Sequence, residues 1–192
     1  MSTLEKAIQY SRNSFANGEF IQRLSSLIEI ITDSKESVSA KVLREYYTKG
    51  LFNIFEELGI KSKIIDNPIN DKPPFLIGSR IESPEYKTIL FYGHGDTVPL
   101  QTGDWYEGIN PSELKVIGDK IYGRAVADNK GQHFINLMAL LSVLKTKKKL
   151  GFNLKLIFEM GEEIGSPGLF ELCELYKDCL LYTSPSPRDE KV

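Results

Sequence analysis

Thr88-Ile89-Leu90-Phe91-Tyr92-Gly93-His94-Gly95-Asp96-Thr97-Val98-Pro99 decides how this chain is read, because an apolar run stops there at two glycines, a histidine and an aspartate. β-Branched and aromatic residues suit a pleated, buried strand, so Lys87 to Tyr92 is expected to form one, and Gly93 and Gly95 let the backbone bend beyond it. In an extended segment residues i and i+2 share a face, which sets His94 beside Asp96. An imidazole whose second nitrogen meets a carboxylate is the arrangement of an oriented metal ligand. Taken alone, the same residues also make a polar turn at a strand end. The rest of the chain has to decide.

Upstream, apolar residues recur at threes and fours from Ile8 to Ile31, which predicts a helix packed on one side. Ser37 or Ser39 can cap a second helix, whose stripe of Val42, Leu43, Tyr46, Leu51, Ile54, Phe55 and Leu58 runs to a stop at Gly59. Lys61 to Asp66 and Phe75 to Ile81 read as strands on either side of the turn-rich Asn67-Pro68-Ile69-Asn70-Asp71-Lys72-Pro73-Pro74. Helices, then strands, then helices again indicate α/β layers.

Downstream, Gly118-Asp119 joins two short alternating runs into an expected hairpin, Leu114 to Ile117 and Lys120 to Tyr122. The hairpin leads into Gly123-Arg124-Ala125-Val126-Ala127-Asp128-Asn129-Lys130-Gly131 and a helix whose apolar positions include Phe134, Ile135, Leu137, Met138, Leu141 and Leu144. Read locally, Asp128 is a helix cap. Asn153 to Met160 is the next strand and runs straight into Gly161-Glu162-Glu163-Ile164-Gly165-Ser166. Adjacent carboxylates at the end of a buried strand repel each other and resist desolvation, so they call for a cation, a proton or solvent. Ser166 with Pro167 at the first helical position is expected to open a helix running to about Tyr176.

Composition removes several classes of function. At 192 residues and 41% hydrophobic content the chain suits one domain with its own core, and a net charge of −2 gives no ground for nucleic acid or an anionic membrane as partner. The basic run Lys145-Thr146-Lys147-Lys148-Lys149 reads as cations at a helix C-terminus. No stretch approaches the length of a membrane span and the N-terminus lacks a signal-peptide core, so a cytoplasmic location is expected. Cys173 and Cys179 are too few and too close for a disulfide framework and are expected to be reduced. There is no Gly-x-Gly-x-x-Gly after the first strand, no P-loop and no Gly-x-Ser-x-Gly elbow.

What remains is a constellation. Asp128 follows His94 by 34 residues and Glu162 follows Asp128 by the same interval, each spacing fitting one turn of an α/β layer or an inserted hairpin. Functional groups gather where the strands of such a sheet end, so the three sites can meet at one edge. One imidazole with several carboxylates suits Zn²⁺, Mn²⁺ or Co²⁺.

In this order, Gly93-His94-Gly95-Asp96-Thr97-Val98-Pro99, Gly123-Arg124-Ala125 with Asp128-Asn129-Lys130-Gly131, and Glu162-Glu163-Ile164-Gly165-Ser166 resemble the three signatures of the family 20 di-zinc metallopeptidases. That family includes carboxypeptidase G, aminoacylase, carnosine-type dipeptidases, acetylornithine deacetylase and succinyl-diaminopimelate desuccinylase. The match runs from about Ser11 to Leu180. It implies a three-layer α/β sandwich with a mixed, mainly parallel sheet and helices on both faces, interrupted by a smaller lid domain. It makes His94 a ligand of one metal with Asp96 as its orienting partner, and Asp128 the bridge between two metals, with a cis peptide to Asn129. Glu162 becomes the general base and Glu163 a ligand of the second metal. The implied cofactor is a pair of zinc ions, with cobalt or manganese as substitutes, and the implied substrate is a peptide or an N-acyl amino acid whose amide is cleaved by water. The other reading kept open is a non-catalytic metal-binding or interaction fragment.

Two departures from the family pattern stand out. Asn129 and Ala125 occupy positions where the family often has Asp and Gly. The family also continues beyond Leu181 with a further acidic ligand, a lid carrying a catalytic histidine, and a last histidine ligand. Here Tyr182-Thr183-Ser184-Pro185-Ser186-Pro187-Arg188-Asp189-Glu190-Lys191-Val192 reads as an extended tail, and Asp189 is not given the missing role. Residues 1–181 are accordingly read as the N-terminal part of a truncated catalytic domain, 182–192 as a disordered tail outside the family, and the lid as absent. Weak metal binding and low activity are expected, with any homodimer of the full-length form made through the lid. His133 lies five residues beyond Asp128 on a helix, off the side of the site, and is expected to be structural.

Overall fold

The computed structural model describes residues 1–34, 38–99, 105 and 108–180, the side chains of Asp178 and Cys179 excepted. Ser37, Cys179's thiol and the expected tail with Asp189 therefore lie outside the described residues. Helix α1 (Thr3–Ala16) opens on a capping box, in which Ser2 Oγ accepts from Glu5 N–H at 3.2 Å while the Glu5 carboxylate accepts from Ser2 N–H at 2.6 Å. The single helix expected from Ile8 to Ile31 is in fact two, because Gly18 at φ +84° ends α1 and α2 (Glu19–Ile28) begins after it. Apolar periodicity continues through the break and hides it. Ala40 to Glu57 is one helical run in three parts: α3 (Ala40–Glu45), a wider π-helical turn (Tyr46–Leu51) and α4 (Phe52–Glu57). The wide turn drives Tyr46, Tyr47 and Leu51 fully into the core.

Strands β1 (Lys61–Ile65), β2 (Phe75–Arg80), β3 (Thr88–His94) and β6 (Asn153–Glu159) form a sheet in the order β1-β2-β6-β3. The expected hairpin is present as β4 (Lys115–Ile117) and β5 (Lys120–Tyr122), paired Ile117 to Lys120. The sheet is mixed, as expected, but its parallel part among the described strands is the β3–β6 pair alone; β1–β2 and β2–β6 are antiparallel. The short turn after β1 can only fold the chain back on itself, whereas β3 reaches β6 through helix α5 (Lys130–Lys147), a connection long enough for parallel pairing.

Side chains alternate across β6 and define the layers. Leu154, Leu156 and Phe158 face the core formed with α2, the α3–α4 run and α5, while Ile157 faces a second cluster with Phe75, Leu172 and Leu180. The latter two belong to α6 (Leu169–Leu175) and α7 (Lys177–Leu180), so helices cover both faces. Helix α6 starts after Gly168 at φ +87°, not at the expected Ser166, because the Ser166 hydroxyl is already committed as a donor to Glu159 at 2.8 Å. Cys173 is a free, half-buried thiol packed against the second cluster.

A buried lysine ties the helical layer together. Lys130, at the start of α5, is 1% exposed and donates to the carbonyls of Leu27 at 3.0 Å and Ile30 at 2.6 Å, at the C-terminal end of α2, with its Nζ 5.0 Å from the centre of the Tyr46 ring. Next to it, a Cβ on Gly131 would run into the carbonyl oxygen of Val126, a backbone atom that cannot swing aside. Gly131→Ala should therefore cost roughly 3 kcal/mol, at the upper end for overpacking. Gly118→Ala, in the open hairpin turn at φ +61°, should cost only about 1 kcal/mol. Urea unfolding of the two variants measures the contrast, and equal losses would contradict the packing described here.

Candidate active site

Parallel pairing sets His94 opposite Glu159, so β3 and β6 end at the same edge of the sheet and their C-terminal extensions emerge side by side. Gly93 and Gly95 turn toward the helical layer, where a Cβ on Gly93 would lie 2.8 Å from the Phe158 ring and one on Gly95 would lie 2.5 Å from the Tyr46 ring. The glycines flank His94 because those aromatic rings leave no room for side chains. His94 itself, on the opposite face, is 4% exposed.

The residues expected at the site converge. His94 Nδ1 lies 3.2 Å from Asp96 Oδ1, and His94 Nε2 lies 3.0 Å from Asp128 Oδ1 and 3.8 Å from Glu162 Oε2. Asp96 has no exposed surface, and it does more than orient the imidazole. Its Oδ1 accepts the backbone N–H of Glu162 at 3.2 Å and its Oδ2 that of Glu163 at 3.0 Å. Both glutamates sit on a 3-10 turn (Glu162–Ile164), which this carboxylate grips from beneath. Asp128 stands immediately before the N-cap residue of α5, Asn129, and turns its carboxylate to His94 instead of capping the helix. The Asp128–Asn129 peptide is cis, as the resemblance implied.

Charge accounts for the protonation states. Burial pulls the His94 pKa down, but the hydrogen bond and charge of Asp96, then Asp128 and the charge of Glu162, outweigh it and lift the value to about 9. Glu163 is pushed up, first by burial and then by the negative charge of Asp128. Among the described residues no group of three His, Cys, Asp or Glu side chains stands at metal-holding spacing. The donor chemistry does fit a divalent cation: Asp96, Asp128, Glu162 and Glu163 bring carboxylates around one imidazole, and His94 draws in a proton to offset them. A cation at the same place would satisfy the same excess of negative charge.

Two further residues brace the site, and the sequence carries little local signal for either. His133 is buried and is not part of the carboxylate cluster, in keeping with its expected structural role: its Nδ1 lies 3.0 Å from Asn129 Oδ1 and its Nε2 lies 2.6 Å from the Tyr46 hydroxyl. Burial, then the charges of His94 and Lys130, pushes its pKa down to about 3. Glu159, 1% exposed at the end of β6, accepts from the Tyr92 hydroxyl at 2.5 Å and from Ser166, and so fastens both ends of the turn that carries the two glutamates. A carboxylate in an apolar strand, one residue before Met160, was the available clue for Glu159.

Known proteins resemble this chain in sequence and in fold. Residues 90–189, just over half of the chain, match the family model described as peptidase family M20/M25/M40. The chain is 30% identical over 194 residues to human Beta-Ala-His dipeptidase, covering 91% of this chain and 36% of that protein. It is 33% identical over 169 residues to the Cys-Gly metallodipeptidase DUG1 of Candida albicans, covering 80% and 34%. The solved structure of human carnosine dipeptidase 1 superposes with a TM-score of 0.80 at 29% identity, over 96% of this chain and 40% of that one. Dug1p of Saccharomyces cerevisiae, a di-peptidase, gives 0.77 at 25% identity, over 93% and 39%. The chain thus spans little more than a third of the length of the relatives it matches. With its three signatures gathered at one sheet edge, and with this fold, the chain belongs to peptidase family M20/M25/M40.

Proposed function

We propose that this chain carries the metal-binding and proton-transferring half of a dipeptidase that works with two divalent ions, zinc foremost. The observation that supports it most is the meeting of His94, Asp128 and Glu162 from three separate parts of the chain, with Asp96 buried beneath them. The names of the relatives favour a dipeptide over an N-acyl amino acid as substrate. In this reading His94 would hold one ion and Glu163 the other, with Asp128 available to both. When bound, such ions polarise the scissile carbonyl and make water acidic enough to react near neutral pH.

The chain's own residues do the rest. Asp96 keeps the His94 imidazole aimed by holding its Nδ1 proton, and by gripping two backbone N–H groups it fixes where the glutamates stand. Glu162, its side chain 43% exposed, is free to take the proton of the attacking water and return it to the departing amine. A cytoplasmic location and a homodimer of the longer form complete the reading. No helix among the described residues is long and apolar enough to cross a membrane.

Titration of the chain with ZnCl₂ by calorimetry tests the ligand set. Asp128→Ala should weaken uptake at least tenfold, while Glu162→Gln should keep affinity within about threefold and lose hydrolysis of Cys-Gly by about 100-fold or more. No uptake of Zn²⁺, Mn²⁺ or Co²⁺ by the unsubstituted chain would sink the proposal. The His94 proton supplies a second test, made in chelator. Its folded pKa of about 9 is raised above the ordinary 6.5, so the imidazolium stabilises the fold fully below pH 6.5 and that contribution is lost as pH rises through 9. The stability gap between the unsubstituted chain and His94→Gln should be widest near pH 6 and close by about pH 10. A gap that widens with pH would contradict the assignment.

A further inference from the structure

We propose that Tyr46, His133 and Asn129 form a positioning chain that fixes the backbone of His94, and through it the geometry of the first metal ligand. The inference rests on the dipeptidase reading for its purpose, but its geometry stands in the metal-free protein. Asn129 Nδ2 donates to Gln132 Oε1 at 2.7 Å, which turns Asn129 Oδ1 the other way. That oxygen faces both His94 N–H at 3.2 Å and His133 Nδ1 at 3.0 Å. An acceptor at Nδ1 requires that nitrogen to carry the hydrogen, so Nε2 is left to accept from the Tyr46 hydroxyl at 2.6 Å. The hydrogen bonds thus converge on Asn129 Oδ1, one line running from the π-helical turn through α5 and the other coming from the His94 N–H at the end of β3.

Both ring nitrogens of His133 are used in this way, which removes it as a metal ligand and gives it a different task. The packing agrees. The Cβ of His133 lies 3.0 Å from where a Gly93 Cβ would be, and the Tyr46 ring lies against Gly95, so the side chains that hydrogen-bond to each other also seat the glycines on each side of His94. The His133 and Phe158 rings stand perpendicular with 5.0 Å between centres, which helps fix the tilt of the imidazole. With the ring clamped and Asn129 Oδ1 shared, His94 and Asp128 are held to a common reference: Asp128 is covalently next to Asn129, and the His94 amide is hydrogen-bonded to it.

Amide hydrogen exchange of the metal-free chain reads this directly, because the His94 N–H is bonded to the Asn129 side chain. His133→Leu removes both hydrogen bonds, His133→Asn restores the donor toward Asn129, and Tyr46→Phe keeps the buried ring but removes the last link. Relative to the other β3 amides, the His94 amide should exchange about tenfold faster in His133→Leu, by an intermediate factor in Tyr46→Phe, and near the unsubstituted rate in His133→Asn. ZnCl₂ affinity should fall in the same order, about tenfold or more for His133→Leu. Should His133→Leu fail to fold, Tyr46→Phe carries the test. Unchanged His94 exchange, or acceleration spread evenly over β3, would overturn the inference. Absence of zinc uptake by the unsubstituted chain would sink the dipeptidase reading and leave the exchange result to decide this one.

Discussion

A single buried carboxylate holds the site together. Asp96 is sealed from water at the end of β3, and a charge there is tolerable only if its oxygens are met by donors. Three meet it: the His94 imidazole and the amides of Glu162 and Glu163. Hydrogen bonds to a charged group contribute roughly 1.5 to 3 kcal/mol each, enough to help set the position of a short turn. The same contacts join two segments 66 residues apart in sequence, so Glu162 and the His94 imidazole are placed by one group. That is possible because β3 and β6 run parallel in register, which brings their ends out at the same edge.

The sheet separates support from chemistry. On one face the glycines beside His94 lie against Tyr46, His133 and Phe158; on the other, His94 meets the carboxylates. Lys130 braces the supporting face by joining the start of α5 to the end of α2, so the loop that ends in Asp128 is anchored to the helical layer immediately after it leaves the site. On the far side Glu159 fastens Tyr92 of β3 to Ser166, beyond the glutamate turn. Rigid support lies beneath acidic residues that remain partly open to solution, Asp128 at 70% and Glu162 at 43% of the side chain.

Much of this was legible in the sequence because it follows from local patterns. Strand ends at His94 and after Glu159 were marked by β-branched runs meeting glycines, and the hairpin by Gly118-Asp119. The gathering of His94, Asp96, Asp128, Glu162 and Glu163 followed from where strands of an α/β sheet end. What could not be read depended on partners distant in the chain. The break at Gly18 was hidden by apolar spacing that continues through it, and the displacement of Ser166 from its capping role was decided by Glu159 across the sheet end. Antiparallel pairing of β2 with β6 needed the strand order, which no local pattern carries. Tyr46 looked like one more core residue in a helical stripe; its hydroxyl matters only because His133, 87 residues on, lies against it.

The central claim is that the carboxylates crowd around His94 because cations belong among them. Crystals of the chain grown with ZnCl₂ and measured across the zinc absorption edge test it most directly. The account predicts two anomalous peaks about 3.5 to 4 Å apart, both within about 2.2 Å of an Asp128 oxygen, one also bonded to His94 and the other to Glu163. A well-ordered site without anomalous signal, or zinc bound only to surface groups elsewhere, would contradict it.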